Sequence, residues 1–184
     1  MTQTDLSKYS NSNYKPGSLI KRILWFFTSA FFFQTVFPWP GFLKVILLRV
    51  FGAKVGRGVV IKPAVHIKYP WFLIVGDQVW IGEKVWIDNL AEVKIDSDSC
   101  ISQGAMLLTG NHDYKSPSFD LITKSIQIER GAWIGAKSVV CPGILVGSHS
   151  VLTVGSVATK KMEPYLIYSG NPAIPVKKRE IREG

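Results

Sequence analysis

The chain has 184 residues, 47% of them hydrophobic and 19% charged, enough for one globular core with an appended segment and too few for several independent domains. A formal net charge of +9 directs it toward anionic partners, whether nucleic acid, membrane head groups or a phosphorylated small molecule. Its two cysteines, Cys100 and Cys141, are far apart and match no zinc or redox spacing, which excludes a disulfide framework or a CxxC centre and fits a reducing compartment.

Residues 1–52 form the first unit, and its stretch LIKRILWFFTSAFFFQTVFPWPGFLKVILLRV is densely aromatic with no repeat. The apolar run from Ile23 to Phe37 is shorter than the roughly 18 residues that a spanning helix needs, and Pro38 and Pro40 end it. Lys21 and Arg22 precede the run in the manner of a signal peptide, yet no small-residue cleavage site follows. Two readings stay open: helices that cap the end of a solenoid, or an interfacial segment in which Lys21, Arg22, Lys44 and Arg49 face an anionic membrane.

From Val55 an aliphatic residue returns every six positions: Val55, Ile61, Ile67, then Val75, Ile81, Ile87, then Ile95, Ile101, Leu107, and after a break Ile128, Ile134, Val140, Val146, Leu152 and Ala158. Neither a helix nor plain strand alternation has that period, so residues 53–160 read as a solenoid. Glycine often follows the aliphatic residue (Gly56, Gly76, Gly82, Gly135, Gly147), where it is expected to supply the freedom to turn a corner. A small or β-branched residue follows four positions on, giving each hexad two inward positions. Short insertions shift the register between Ile67 and Val75 and at Val93 and Lys94. Residues 113–127, DYKSPSFDLITKSIQ, must leave the solenoid as a loop, and long loops in compact repeats tend to carry function. A basic tail, 161–184, is expected to pack back on the solenoid.

The stretches VGDQVWIGEKVWI and ERGAWIGAKSVVCPGILVGSHSVLTVGSVATK resemble the hexapeptide-repeat acyltransferases. WIDNLAEVKI, CISQGAMLLTGNHDY and YSGNPAIPVKKR are most similar to the colanic-acid-type acetyltransferases of exopolysaccharide synthesis, and the similarity runs from about Leu47 to the C-terminus. The resemblance implies a mainly β fold, a left-handed parallel β-helix of triangular section with an N-terminal helical cap, assembled as a homotrimer. It also implies acetyl-CoA as co-substrate, without a metal, and a cytoplasmic enzyme; the interfacial reading of the first unit would add peripheral contact at the inner membrane.

His112 has the side chain best suited to accept a proton near neutral pH. A sugar hydroxyl is a poor nucleophile until a base removes its proton, and the resemblance gives His112 that role, with direct attack on the thioester and no acyl-enzyme. Asp88, Asn89, Asn111, Asp113 and Tyr114 are candidates to bind the acceptor or orient the imidazole; Asn89 is favoured as a polarising amide and Asp88 as an alternative orienter. Trp86 is the candidate for stacking on a sugar. For the donor, the positions that match the family are Ala136, Val154, Gly155, Thr159, Lys160 and Lys177; Trp133 is a candidate for stacking on the nucleotide end of CoA, and Lys178, Lys161 and Arg179 add positive charge for the phosphates. Ile174 departs from the pattern, standing where some relatives have a phosphate-contacting arginine. His66 and His149 are expected to be solvated.

Other classes fit less well. A metalloenzyme on the same prism needs three ligands, two of them close in sequence, and here the histidines are widely separated with no HxxxxH. A binding scaffold would not need the TGNHDY break, and no nucleic-acid motif is present. The acceptor is read as a lipid-linked or nucleotide-linked saccharide; an amine, a free sugar or an antibiotic is the alternative.

Overall fold

A computed structural model describes residues 3–182. After a single 3-10 turn at Leu6–Lys8 the chain forms two helices, α1 (Leu19–Phe32) and α2 (Gly41–Val50), and continues as short strands wound into a three-faced parallel β-helix. Successive strands of one coil lie on different faces, and each pairs in parallel with the equivalent strand of the next coil. The inward residues therefore stack in ladders: Val55, Val75, Ile95, Ile128 and Val146 on the first face, Ile61, Ile81, Ile101, Ile134 and Leu152 on the second, and Ile67, Ile87, Leu107, Val140 and Ala158 on the third. Apart from Val55 at the open end, every rung is buried. Each large rung contributes about 1.5–3 kcal/mol by leaving water.

The corners correct one expectation. After every rung of the first two faces, and after Val140 on the third, the residue in the left-handed conformation stands three places on, and it is Gly58, Gly104, Gly131, Gly143 or Gly155 at some corners and Ala64, Gln78, Lys84, Asp98, Lys137 or His149 at others. The glycines directly after the rung serve a different purpose. A Cβ on Gly135 would lie 2.6 Å from the Leu152 carbonyl oxygen, and one on Gly147 would lie 2.6 Å from the Pro164 nitrogen, so these positions are kept bare for the next coil. Serines at the second inward position, Ser138 and Ser150, donate to the carbonyls of Gly135 and Gly147 and close the corner without an orphaned hydroxyl.

The helical segment does close the open end. Ser18 caps α1 by accepting the Lys21 N–H, and α1 then presents Trp25 and Ser29 inward. Trp25 packs between Phe33 and Phe51, and its indole N–H donates to the Ile67 carbonyl at 2.9 Å. Lys44 is not on the surface as the interfacial reading placed it. It is fully buried, donating to the carbonyls of Lys62 at 3.0 Å and Ile61 at 3.4 Å, and burial pushes its ammonium below the usual lysine range. Lys44→Ala is expected to orphan both carbonyls and destabilise the fold by about 1–3 kcal/mol in denaturant titrations. A loss within error would show that water satisfies them.

Two further boundaries differ from expectation. The excursion starts earlier than residue 113: Gly110–His112 pairs antiparallel with Leu121–Thr123, and the chain rejoins the prism at Ile126–Ile128. At the other end Leu166–Gly170 adds a parallel strand beside Val151–Leu152, and Ala173–Lys178 folds back on it antiparallel. Arg179 ties this tail down by donating to the carbonyls of Gly131 and His149, so it is not a free phosphate ligand.

Candidate active site

The hairpin of residues 110–123 leaves the prism where the third face gives way to the first, and His112 ends its outgoing strand. The imidazole stacks on Phe119, with ring centroids 4.4 Å apart and planes within 6°. Its Nδ1 lies 2.8 Å from the Phe119 carbonyl oxygen. A carbonyl only accepts, so Nδ1 carries the proton and Nε2 is left with its lone pair. Phe119 itself has φ of 53°, a left-handed conformation that costs a bulky residue about 1–2 kcal/mol and that aims this carbonyl at the histidine. The backbone, rather than Asp88, orients the imidazole.

Sequence reasoning missed Phe119, and it missed the arm that braces the loop. Asp5 N–H donates to the Pro117 carbonyl and Ser10 N–H to the Asp120 carboxylate, while the Tyr9 ring lies 6.0 Å from His112. Tyr14 reaches the Leu90 carbonyl through its hydroxyl at 2.8 Å. Ser10 and Asp120 are 110 residues apart, and nothing in TQTDLSKYSNSNYK signals the pairing.

The other acceptor-side candidates divide. Asp88 ends a third-face strand one coil below the hairpin, half-buried, with Oδ1 lacking any hydrogen bond and 3.8 Å from the Lys68 ammonium. That oxygen is shielded from solvent as well as unpartnered. Asn89 is not available: it is fully buried, its amide donating to the Tyr69 carbonyl at 2.6 Å and its oxygen accepting the Tyr69 N–H at 3.0 Å. The expectation of a polarising amide there is corrected to a clip between two coils. Asn111 accepts the His112 N–H and Asp113 the Lys115 N–H, both shaping the turn. Tyr114 is exposed at the loop tip. Trp86 stands half-exposed on the third face, edge-on to His66 and paired with Met106. His66 is not solvated as expected: its Nδ1 is buried without a partner, and burial, with Lys68 nearby, lowers its pKa. His149 occupies a corner stacked on Tyr165 at 4.8 Å.

On the donor side, Trp133, Ala136 and Val154 line one groove of about 350 Å³ with Ser102 and Gln103, along the edge between the second and third faces. Gly155 N–H donates to the Ala136 carbonyl at its rim. A second groove, lined by Trp80 and again by Ser102 and Gln103, continues it toward the first coils. Lys177 falls in the same outward row, because Trp133 pairs with Val151, Val151 with Ile167 and Ile167 with Lys177. Lys178 pairs with Leu166 on the same sheet. Thr159 and Lys160 are exposed at the next edge, the one that carries His112. Lys161 is engaged with Glu163 at 3.1 Å. Among the described residues, no group of three or more His, Cys, Asp or Glu could hold a metal ion.

No family model matches the chain. Individual proteins do. The chain is 37% identical over 180 residues to a protein named for acetyl transfer in colanic acid biosynthesis, WcaF of Escherichia coli strain K12, covering 95% of this chain and 97% of that one. Among solved structures it superposes on a hexapeptide-repeat-containing acetyltransferase of Vibrio cholerae O1 biovar eltor complexed with acetyl coenzyme A, at TM-score 0.79 and 22% identity over 88% of each chain. It also superposes on a galactoside acetyltransferase in complex with coenzyme A, at TM-score 0.77 and 22% identity over 88% of this chain and 82% of the other. The full-length identity to WcaF and the shared coil together establish that this chain belongs to the hexapeptide-repeat acetyltransferases, in the branch of the colanic-acid-type enzymes.

Proposed function

We propose that the protein is an O-acetyltransferase that moves the acetyl group of acetyl-CoA to a sugar hydroxyl of a surface-polysaccharide precursor, with His112 as general base. The observation that carries this reading is the Nδ1–H bond to the Phe119 carbonyl, which leaves Nε2 as the acceptor. Nε2 takes the hydroxyl proton as the sugar oxygen attacks the thioester carbon. The tetrahedral intermediate then collapses, the C–S bond breaks, and the imidazolium returns the proton to the departing CoA thiolate. Asp88, half-buried one coil below on the same edge, is the carboxylate that would meet the saccharide.

The donor lies along the groove of Trp133, Ala136, Val154 and Gly155, with Lys177 and Lys178 meeting phosphates. In one protomer this groove and His112 occupy different edges of the prism. A homotrimer in which one subunit's donor edge meets the His112 edge of its neighbour brings them together, and places Thr159 and Lys160 at the same junction. The similarity to WcaF, a protein named for colanic acid biosynthesis, supports a surface-polysaccharide precursor as the acceptor.

The test is a calorimetric titration of acetyl-CoA into the wild type and into a Lys160→Ala, Lys177→Ala, Lys178→Ala variant. Saturable binding weakened by about tenfold or more is expected, since charged hydrogen bonds to phosphate are lost. A folded wild type that does not bind acetyl-CoA would overturn the assignment.

A further inference from the structure

We propose that the helical cap is a docking surface for an anionic lipid bilayer, a property independent of the reaction assigned to His112. The cap has an inverted pattern. The side of α1 turned to the protein carries Lys21, Arg22, Thr28 and Ser29 beside Trp25, whereas the side turned outward is wholly apolar. Phe27 is 65% exposed and Phe31 60% on that outer side, and α2 continues it with Phe42 at 70% and Val50 at 73%. A helix of a soluble monomer shows polar residues on its outer face, so an apolar one marks a surface that meets another phase or partner.

Charge identifies which. Residues 1–76 contain ten Lys or Arg and a single acid, Asp5, whereas residues 77–184 contain twelve basic and twelve acidic residues. The whole net charge of +9 therefore belongs to the cap and the first coil. Two such caps placed face to face would repel, which disfavours a second copy of the chain as the occupant. An apolar aromatic face rimmed by an excess of cations, with Arg57 near Asp77 and Lys68 near Asp88 but Arg22 and Arg49 facing no carboxylate within 4 Å among the described residues, matches an anionic leaflet, into which the aromatics enter while the cations meet head groups. Arg49 and Arg57 flank Phe42 and Ile46 at one rim. At the other, Arg22 and Lys68 share a pocket with Phe26 and His66. Among the described residues no helix is long and apolar enough to cross a membrane, so the contact is interfacial.

The pocket at Lys68 lies on the prism edge that carries His112. Lys68 follows Ile67, Asp88 follows Ile87 and Leu108 follows Leu107, and each step up the sheet is one strand spacing. The hairpin of His112 thus begins roughly 10 Å above the rim of the docking face. A saccharide presented at the membrane surface reaches the base along this edge.

The experiment is flotation of the full chain with phosphatidylcholine vesicles, with and without phosphatidylglycerol, beside a Phe27→Ser, Phe31→Ser, Phe42→Ser variant. Oligomeric state and acetyl-CoA binding are measured in parallel. The wild type is expected to float with the phosphatidylglycerol vesicles and to lose about tenfold in binding when salt is raised or when the three phenylalanines are replaced, with assembly and acetyl-CoA binding retained. Failure to float with either vesicle would overturn the proposal. So would dissociation of the oligomer in the variant, which would make the face a subunit contact. Acetyl-CoA binding without flotation would leave the reaction standing and remove only the docking surface.

Discussion

His112→Ala is expected to lower kcat for acetyl transfer by about 10²- to 10⁴-fold, the usual contribution of a positioned base, with acetyl-CoA affinity unchanged. The size of the effect follows from how firmly the ring is held. Stacking on Phe119 sets the plane, the 2.8 Å bond to the Phe119 carbonyl sets the tautomer, and the N-terminal arm holds the loop through Pro117 and Asp120. A ring so fixed has lost most of its orientational freedom before substrate arrives, so its removal costs more than the loss of a mobile base. The measurement is steady-state release of CoA thiol with a saccharide acceptor, compared with calorimetric binding of acetyl-CoA. A variant within a few fold of wild type would transfer the role of base to another group.

The second large effect is on stability, and it separates two glycines that look alike in the sequence. Gly135→Ala places a methyl group 2.6 Å from the Leu152 carbonyl oxygen and 2.7 Å from the Thr153 carbonyl carbon and the Val154 nitrogen, all backbone atoms of the next coil. Those atoms belong to the ladder, because Gly135 N–H donates to Leu152 at 2.7 Å, so they cannot retreat without opening it. A destabilisation of about 1–3 kcal/mol, at the upper end for want of a flexible neighbour, is expected in denaturant titrations. Gly155→Ala meets nothing within 4 Å and bears only the left-handed φ of 66°, about 1 kcal/mol. The opposite order, with Gly155→Ala the worse, would mean that the corner rather than the coil contact limits the fold.

The hexad period made the prism legible, and the reason is local. Each rung from Ile61 to Ala158 repeats the same two-strand-residue and corner pattern, so the inward position is named by alternation within six residues whatever the rest of the chain does. The aromatic first unit was legible as a cap or an interface, and the fold turns Trp25 of α1 into the core and Phe27 to the surface. Lys44 was misplaced because composition does not reveal the carbonyls left free at the end of a solenoid, and those of Ile61 and Lys62 drew it inside. The glycines after the rungs were assigned to the turn because a sequence displays neighbours along the chain and not the coil stacked above.

By itself, then, the sequence determined the family, the three ladders and the histidine at the break in the repeat. Only the tertiary structure decided what surrounds that histidine. Its orienting partner is a main-chain carbonyl, chemically the same at every residue, and only the left-handed turn at Phe119 distinguishes that one by aiming it at Nδ1. Asn89 shows the converse. As an amide beside Asp88 it had the right chemistry for a substrate contact, but the paired coil below presents both backbone groups of Tyr69, and these take up its hydrogen bonds in the core. Periodicity is encoded residue by residue, whereas the direction of a carbonyl and the partner of a buried amide depend on chain segments that meet only after folding.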